Sequence, residues 1–347
     1  MRLLENAMPA RFGKIAGAAL LTVVMTGAAN AQEVVRVSAV TAEGHWSWSQ
    51  GIKVFASKVE TATKGKVKFQ YFAAGQLGKN TSELVSKGLA QGGLVFPSFE
   101  PDKMPLTSVA ELPGMHKTAC ESVDLMWKLV GPGGSLNEAE YGKRGLRPIY
   151  AYNLPVYELQ TSKKKISKLE DVAGQKIRAN GSAQAKTVSA LGGVPVAVPG
   201  PELYDSLTRG TVDGGLWLSL SSRDIGLEKV LKYRVEGPSL GAGGVSIFVM
   251  NEDAWKRLDA DTQKAVMNAG AETARSLCTW VDKTDGAEVA LLTKDFGFET
   301  VKLPPAELAR WDAAVASVAK SWAAEMDSSG RPGTKTLETF KSLLGKK

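Results

Sequence analysis

Residues 176–198 read KIRANGSAQAKTVSALGGVPVAV, and this stretch decides the fold. Lys176-Ile177-Arg178 is a short strand, Ser182 to Leu191 suits a helix, and Val194, Val196 and Val198 alternate as a second strand. Strand, helix, strand in that order implies parallel pairing with the helix crossing one face of a sheet. Upstream, Ser167 with Glu170 three residues later resembles a capping box opening a short helix that ends at Gly174. Downstream, Glu202 to Leu207 reads as a helix closed by Gly210, and Val212 to Trp217 as the next strand.

The same rhythm fills the N-terminal half. Val34 to Val40 is a β-branched run; Trp48, Ile52, Phe55 and Val59 recur at helical spacing; Val67, Phe69 and Tyr71 alternate with polar residues. Gly75 and Gly78 bracket a turn, a second helix carries Leu84, Val85 and Leu89, and Leu94 to Phe96 is another short strand. A further strand fits Pro148 to Asn153, so two α/β units lie one after the other. Beyond them, Val245 to Val249 is a strand. Asp259 to Leu292 makes one or two long helices with Gly270 and Gly286 as weak points, and Pro305 to Met326 forms a final amphipathic helix. Ser328 to Gly333 is a breaker-rich tail.

The chain of 347 residues has 43 basic and 36 acidic side chains, mixed throughout. That pattern lacks the one-sided basic face of a nucleic-acid binder, and Lys163-Lys164-Lys165 reads as a solvated loop. Arg2, Arg11 and Lys14, an apolar run from Ile15 to Ala28, and Ala29-Asn30-Ala31 together predict an export signal over residues 1–31 cleaved after Ala31. The apolar run is shorter than the roughly 20 residues that span a bilayer. The mature chain is therefore expected in the periplasm, and its length is a soft guide to two domains. Cys120 and Cys278 form either a disulfide or, as the favoured reading, two small buried side chains. His45 and His116 are the only histidines and neither has metal-ligand spacing, so no metal or cofactor is expected. There is no Gly-x-Ser-x-Gly elbow, no His-Glu-x-x-His and no phosphate-binding loop, which leaves an exported enzyme as a minor alternative.

Several motifs in fixed order carry a resemblance. They are Gly65-Lys66-Val67-Lys68 before Ala73-Ala74-Gly75-Gln76-Leu77-Gly78; Asp171-Val172-Ala173-Gly174-Gln175-Lys176-Ile177-Arg178; and Glu202-Leu203-Tyr204-Asp205-Ser206-Leu207 before Arg209-Gly210-Thr211-Val212-Asp213-Gly214. The set resembles the extracytoplasmic solute-binding subunits of tripartite ATP-independent periplasmic (TRAP) transporters. The resemblance implies a two-lobed α/β periplasmic binding protein with mixed sheets, hinge strands and a long interlobe helix. Lobe I would be residues 32–155 plus 244–283, and lobe II 156–243 plus 284–347. Such a protein would act as a monomer, close on a small organic acid and pass it to membrane permease subunits; a binding protein that presents its ligand to a sensor is the other reading.

Arg178 ends a strand that leads through Asn180 into a helix, the place where open α/β sheets bind ligands. A guanidinium there can hold a carboxylate by two hydrogen bonds, as the resemblance implies, and Asp213 or Asp171 are its competing partners. Trp217 follows the Asp-Gly motif; Leu216 stands where many members of the family have a metal-binding glutamate, and Glu158 where some have a second arginine. Trp48 is assigned to the core and Trp46 to the cleft, with His45, Phe96, Ser98, Asn180 and Asn153 as further ligand contacts. Walls of Trp46, Trp217 and Phe96 or Tyr152 favour a monocarboxylate with an apolar or aromatic body, while Arg223 is held as a second cation for a dicarboxylate.

Overall fold

The computed structural model describes residues 32–241 and 243–345, so the expected export signal and its cleavage site lie outside the described residues. The first sheet uses β1 (Glu33–Ser38), β2 (Val67–Phe72), β3 (Gly92–Val95), β4 (Leu146–Asn153) and β10 (Val245–Asn251) in the order β2-β1-β3-β10-β4. β1 pairs in parallel with β2 and β3, whereas β10 runs antiparallel to β3 and β4. The late strand β10 thus lies inside the sheet, joining β3 to β4.

Periodicity explains what packs on it. Trp48, Ile52, Phe55 and Val59 are all fully buried, and the Phe55 ring lies 4.8 Å from Phe248, 5.4 Å from Tyr150 and 5.8 Å from Phe69. Burying each such side chain stabilises the fold by about 1.5–3 kcal/mol. The helix they begin is entered through a wide π turn over Ser47–Ile52 before α1 (Lys53–Ala62). α2 (Thr81–Ser86) follows β2, and α3 (Ala119–Val130) packs on β4. Sequence reading missed α3, although Thr118 and Glu121 give its start: the Thr118 hydroxyl accepts from Glu121 N at 3.2 Å, and the Glu121 carboxylate accepts from Lys117 N.

The second sheet has the order β11-β9-β5-β8-β6-β7. Its strands are β5 (Glu158–Thr161), β6 (Lys176–Arg178), β7 (Val194–Val196), β8 (Gly214–Trp217), β9 (Tyr233–Glu236) and β11 (Glu299–Lys302). β6 pairs in parallel with β7 and β8, as the strand-helix-strand reading implies, with α4 (Gly181–Ala190) and α5 (Leu203–Thr208) between them. β5 is antiparallel to β8 and β9. The predicted capping box is corrected: Asp171, not Glu170, closes it, accepting from Ser167 N at 2.9 Å and Lys168 N at 3.1 Å, while Glu170 pairs with Arg310.

After β10 come α6 (Glu252–Arg257) and α7 (Ala260–Phe296), one continuous helix of 37 residues capped by Asp259, which accepts from Thr262 N at 2.7 Å. Gly270 is no break in it. A Cβ there would stand 2.6 Å from Ile149 O, so the glycine lets α7 lie against β4. The expected final helix is two, α8 (Pro305–Val315) and α9 (Val318–Ser328), and beyond the breaker-rich stretch the chain forms another, α10 (Gly333–Leu344), which packs on α3. Cys120 and Cys278 are bridged, with Cα atoms 4.9 Å apart, contrary to the favoured reading. Their separation of 158 residues hid a contact made only when α3 packs on α7.

Three strips of chain connect the two sheets. Two of them, the segment from Asn153 to Glu158 and the return from Glu236 to Val245, are bonded to each other: Leu154 N donates to Gly244 O at 3.0 Å, Tyr157 N to Gly241 O at 2.9 Å and Gly243 N to Pro155 O at 2.7 Å. A Cβ on Gly243 would stand 2.4 Å from the Tyr157 ring, so only glycine fits. α7 is the third strip, packing on β4 near its start and on the Ser219–Ser221 turn further along.

Candidate ligand-binding site

Where the two lobes meet, β6 ends at Arg178, whose side chain is 1 % exposed. Its guanidinium lies over the Trp217 ring, 4.9 Å from the centroid. Nε donates to Val198 O and Nη1 to Leu216 O, each at 3.0 Å. With the Asn180 amide oriented so that its nitrogen donates to Val198 O at 2.9 Å, its oxygen accepts from Arg178 Nη2 at 2.5 Å. Three of the five N–H groups of an arginine are thereby used, and the Tyr157 hydroxyl is the protein group that approaches the rest. No carboxylate of the described residues lies within 4 Å of it: Asp213 accepts from Lys176 N, and Asp171 serves the cap described above. Burial pulls the Arg178 pKa down, offset by the Tyr157 hydroxyl and the more distant Glu111. The Tyr157 ring itself stacks on Trp217, 6.3 Å away.

Around this cation several buried polar atoms have no hydrogen-bond partner among the described residues: Trp217 Nε1, Gln184 Nε2 and Glu111 Oε2; both amide atoms of Asn153, at the end of β4, are likewise unpaired. Asn153 is fully buried at the end of β4, opposite Val245. A buried polar group left unpaired costs about 1–3 kcal/mol, so several in one place mark a surface built to meet something polar.

The first lobe supplies the facing wall. Phe96 stacks on Phe99 at 5.3 Å; a Cβ on Gly200 would touch both the Phe99 ring, at 3.8 Å, and the Trp217 ring, at 3.1 Å. Ser98 lies against the start of α4, with Cα and Cβ 3.8 Å from where a Cβ of Gly181 would be. Trp48 is buried in the core, its Nε1 donating to Thr41 O. Trp46 turns instead to the second lobe and donates from Nε1 to Ser221 Oγ at 2.9 Å; its ring is 6.1 Å from Tyr152 and 5.6 Å from Trp280. His45 sits at the rim, Nδ1 2.8 Å from Ser47 Oγ and Nε2 3.6 Å from Asp224, and burial lowers its pKa to about 4. It therefore meets the opposite lobe through Asp224 and is neutral at pH 7.

Two charged residues fall outside this cluster. Glu158 pairs with Arg234 and accepts from Ser219 Oγ at 2.9 Å. Arg223 is tied by two hydrogen bonds to Glu288, at 2.5 and 2.9 Å, so its charge is matched within the protein. Among the described residues no group of three or more His, Cys, Asp or Glu is arranged to hold a metal, and Leu216 contributes only its carbonyl, to Arg178. Sequence reading missed Glu111, Tyr157, Gln184 and Ser221. Glu111 had a signal, a lone acid inside the apolar run Val109-Ala110-Glu111-Leu112; the others had none.

Comparison with known proteins agrees with this architecture. A solved TRAP solute-binding protein from a marine metagenome, specific for aromatic acid ligands and co-crystallised with 3-hydroxybenzoate, superposes with TM-score 0.82 at 22% identity, covering 91% of this chain and 98% of the other. One from Rhodoferax ferrireducens with copurified benzoate gives TM-score 0.81 at 21% identity, with 90% and 98% covered. The monocarboxylate 2-oxoacid-binding periplasmic protein of Nostoc sp. is 24% identical over 245 residues, 70% of this chain and 66% of its own. The model of the DctP family, bacterial extracellular solute-binding protein family 7, matches residues 37–325. The chain belongs to that family.

Proposed function

We propose that this protein is the extracytoplasmic receptor of a TRAP transporter and captures a small organic acid between its lobes, its carboxylate held by the remaining N–H groups of Arg178. The observation that carries this reading is a buried arginine with no acidic partner, whose N–H groups are not all taken by the carbonyls and the amide that hold it. A buried cation without a counter-ion is costly, and a ligand carboxylate compensates it with charge-assisted hydrogen bonds. The aromatic wall of Trp217, Tyr157, Phe96 and Phe99 favours a monocarboxylate with an aromatic or other apolar body, a hydroxy or keto acid included. The aromatic acids bound by the two solved relatives and the 2-oxoacids of the Nostoc protein support that class.

Asn153, Trp217, Ser98 and Asn180 complete the contact set, and Trp46 and His45 latch the lobes. Lobe I comprises residues 32–155 plus 244–283 and lobe II 156–243 plus 284–347, with the paired connectors as hinges. The acid bridges the lobes and shifts the population to the closed form, which docks as a monomer on membrane permease subunits driven by an ion gradient. Export is to the periplasm, after cleavage at Ala31. The protein carries its ligand unchanged and catalyses nothing.

A thermal-shift screen of the mature protein against aliphatic and aromatic acids tests this. A ligand at about 100 times its dissociation constant adds about 2.7 kcal/mol to the native state and raises Tm by several degrees. A rise with one class of acid, abolished in Arg178→Ala, is the expected result. No rise with any acid, or a rise that Arg178→Ala leaves intact, sinks the reading.

A further inference from the structure

We infer that Glu111 is the specificity-determining residue of the first lobe, accepting a hydrogen bond from a hydroxyl on the acid that Arg178 holds and so selecting hydroxylated monocarboxylates over their deoxy analogues and over dicarboxylates. The inference rests on the assignment of Arg178 to the ligand carboxylate. Glu111 ends a turn over Leu106–Glu111 and is fully buried. Its Oε1 takes one long contact from Val245 N, at 3.4 Å, and Oε2 takes none. A Cβ on Gly244 would stand 3.9 Å from both Glu111 Oε1 and Ser98 Oγ, which places the carboxylate beside the connector that leads into β10, where Val245 is paired with Asn153. From the second lobe, Gln184 and Ser98's neighbour Gly181 face the same point.

A second buried acid shows that this is no ordinary structural carboxylate. Glu140 accepts from Leu106 N at 2.5 Å, Thr107 N at 3.0 Å and Thr107 Oγ1 at 2.6 Å, so both of its oxygens are used. Glu111 has the same burial without those partners. The titratable groups facing it are Arg178, Tyr157 and Tyr141, with the Ser98 hydroxyl and Gln184 amide near enough to favour ionisation without completing a bond to Oε2. Burial outweighs them and pushes its pKa up to about 7. Once a ligand carboxylate neutralises Arg178, a second carboxylate near Glu111 meets a like charge, while a hydroxyl meets an open acceptor.

The test is calorimetric affinity of the full mature chain for the matched pairs mandelate and phenylacetate, and 3-hydroxybenzoate and benzoate, with isophthalate as the dicarboxylate. The hydroxylated member is expected to bind about ten- to a hundredfold tighter in at least one pair, isophthalate more weakly than benzoate. That preference falls as pH is lowered through about 7, where Glu111 takes up its proton. In Glu111→Gln the preference within each pair shrinks to about threefold or less, whereas Arg178→Ala loses both members of every pair. Equal weakening of both members in Glu111→Gln, or a wild-type preference that is absent or flat with pH, overturns the role of Glu111 and leaves Arg178 standing. Binding that survives Arg178→Ala overturns both. Should Glu111→Gln fail to fold, Glu111→Asp, which keeps the charge and draws the acceptor back, is measured on the same pairs; a preference left at its wild-type size there overturns the role of Glu111.

Discussion

Arg178 and Arg234 lie in the same six-stranded sheet and are nearly equally buried, yet they are finished in opposite ways. Arg234 on β9 pairs with Glu158 across to β5 and with Glu236, and donates to Thr300 Oγ1 at 3.0 Å. Arg178 on β6 is held by carbonyls and Asn180, stacked on Trp217 and approached by the Tyr157 hydroxyl, with no carboxylate of the described residues within 4 Å. The first has its charge balanced by two acids of the fold, although its Nε finds no partner among the described residues, and the second is positioned by the fold and left without an acidic partner. Burial alone does not separate a structural charge from a binding one; the state of its partners does.

Arg234→Ala, which strands Glu158, is expected to lower stability by about 3–5 kcal/mol in chemical denaturation while leaving ligand affinity near wild type. Arg178→Ala is expected to do the reverse, weakening acid binding by about 2–5 kcal/mol in calorimetry with a smaller loss of stability than Arg234→Ala. Should the two variants lose stability and affinity alike, the contrast fails. Arg178→Lys sharpens it: charge is kept and the two-pronged geometry lost, so affinity falls between wild type and Ala. The Cys120–Cys278 bridge belongs with the groups the fold satisfies, and its removal by Cys120→Ala with Cys278→Ala should cost about 2–4 kcal/mol of stability without changing affinity. Trp46→Phe removes a bond made between the lobes, to Ser221, and should weaken acid binding by about 0.5–1.5 kcal/mol with little change in the Tm of the unliganded chain.

Legibility in the sequence followed the same division. The strands with β-branched runs and the Trp48, Ile52, Phe55, Val59 stripe were readable because burial on one face imposes a period. β5, β9 and β11 read ELQT, YRVE and ETVK, four residues each with charges at their ends, too short and too polar for alternation to show. α10 lay hidden behind Ser328 to Gly333, since a breaker ends one helix without forbidding the next. At the site, Arg178 was legible from its place at a strand end. Tyr157 and Ser221 were not, because the connector pairing and the lobe contact that bring them in leave no local pattern. Glu170 was misread because two neighbouring acids suited the cap and only packing chose between them.

The long helix α7 has a mechanical consequence. Cys278 is its central residue, and one turn later Asp282 takes the N–H groups of Ala119 and Cys120 at 2.7 and 3.0 Å, so the first half is clamped to α3. Three residues on, Asp285 accepts from Leu220 N at 3.1 Å and Glu288 holds Arg223, both on the other lobe. The helix is a cantilever, fixed at one turn and loaded at the next, and any rotation of the lobes must be absorbed as flexure over that short span. Gly286 sits inside it with open space where a side chain would be. Gly286→Ala should therefore stiffen the beam, adding about 0.5–1 kcal/mol of helix stability and slowing ligand capture in stopped-flow, a cost in speed set by the elasticity of one glycine.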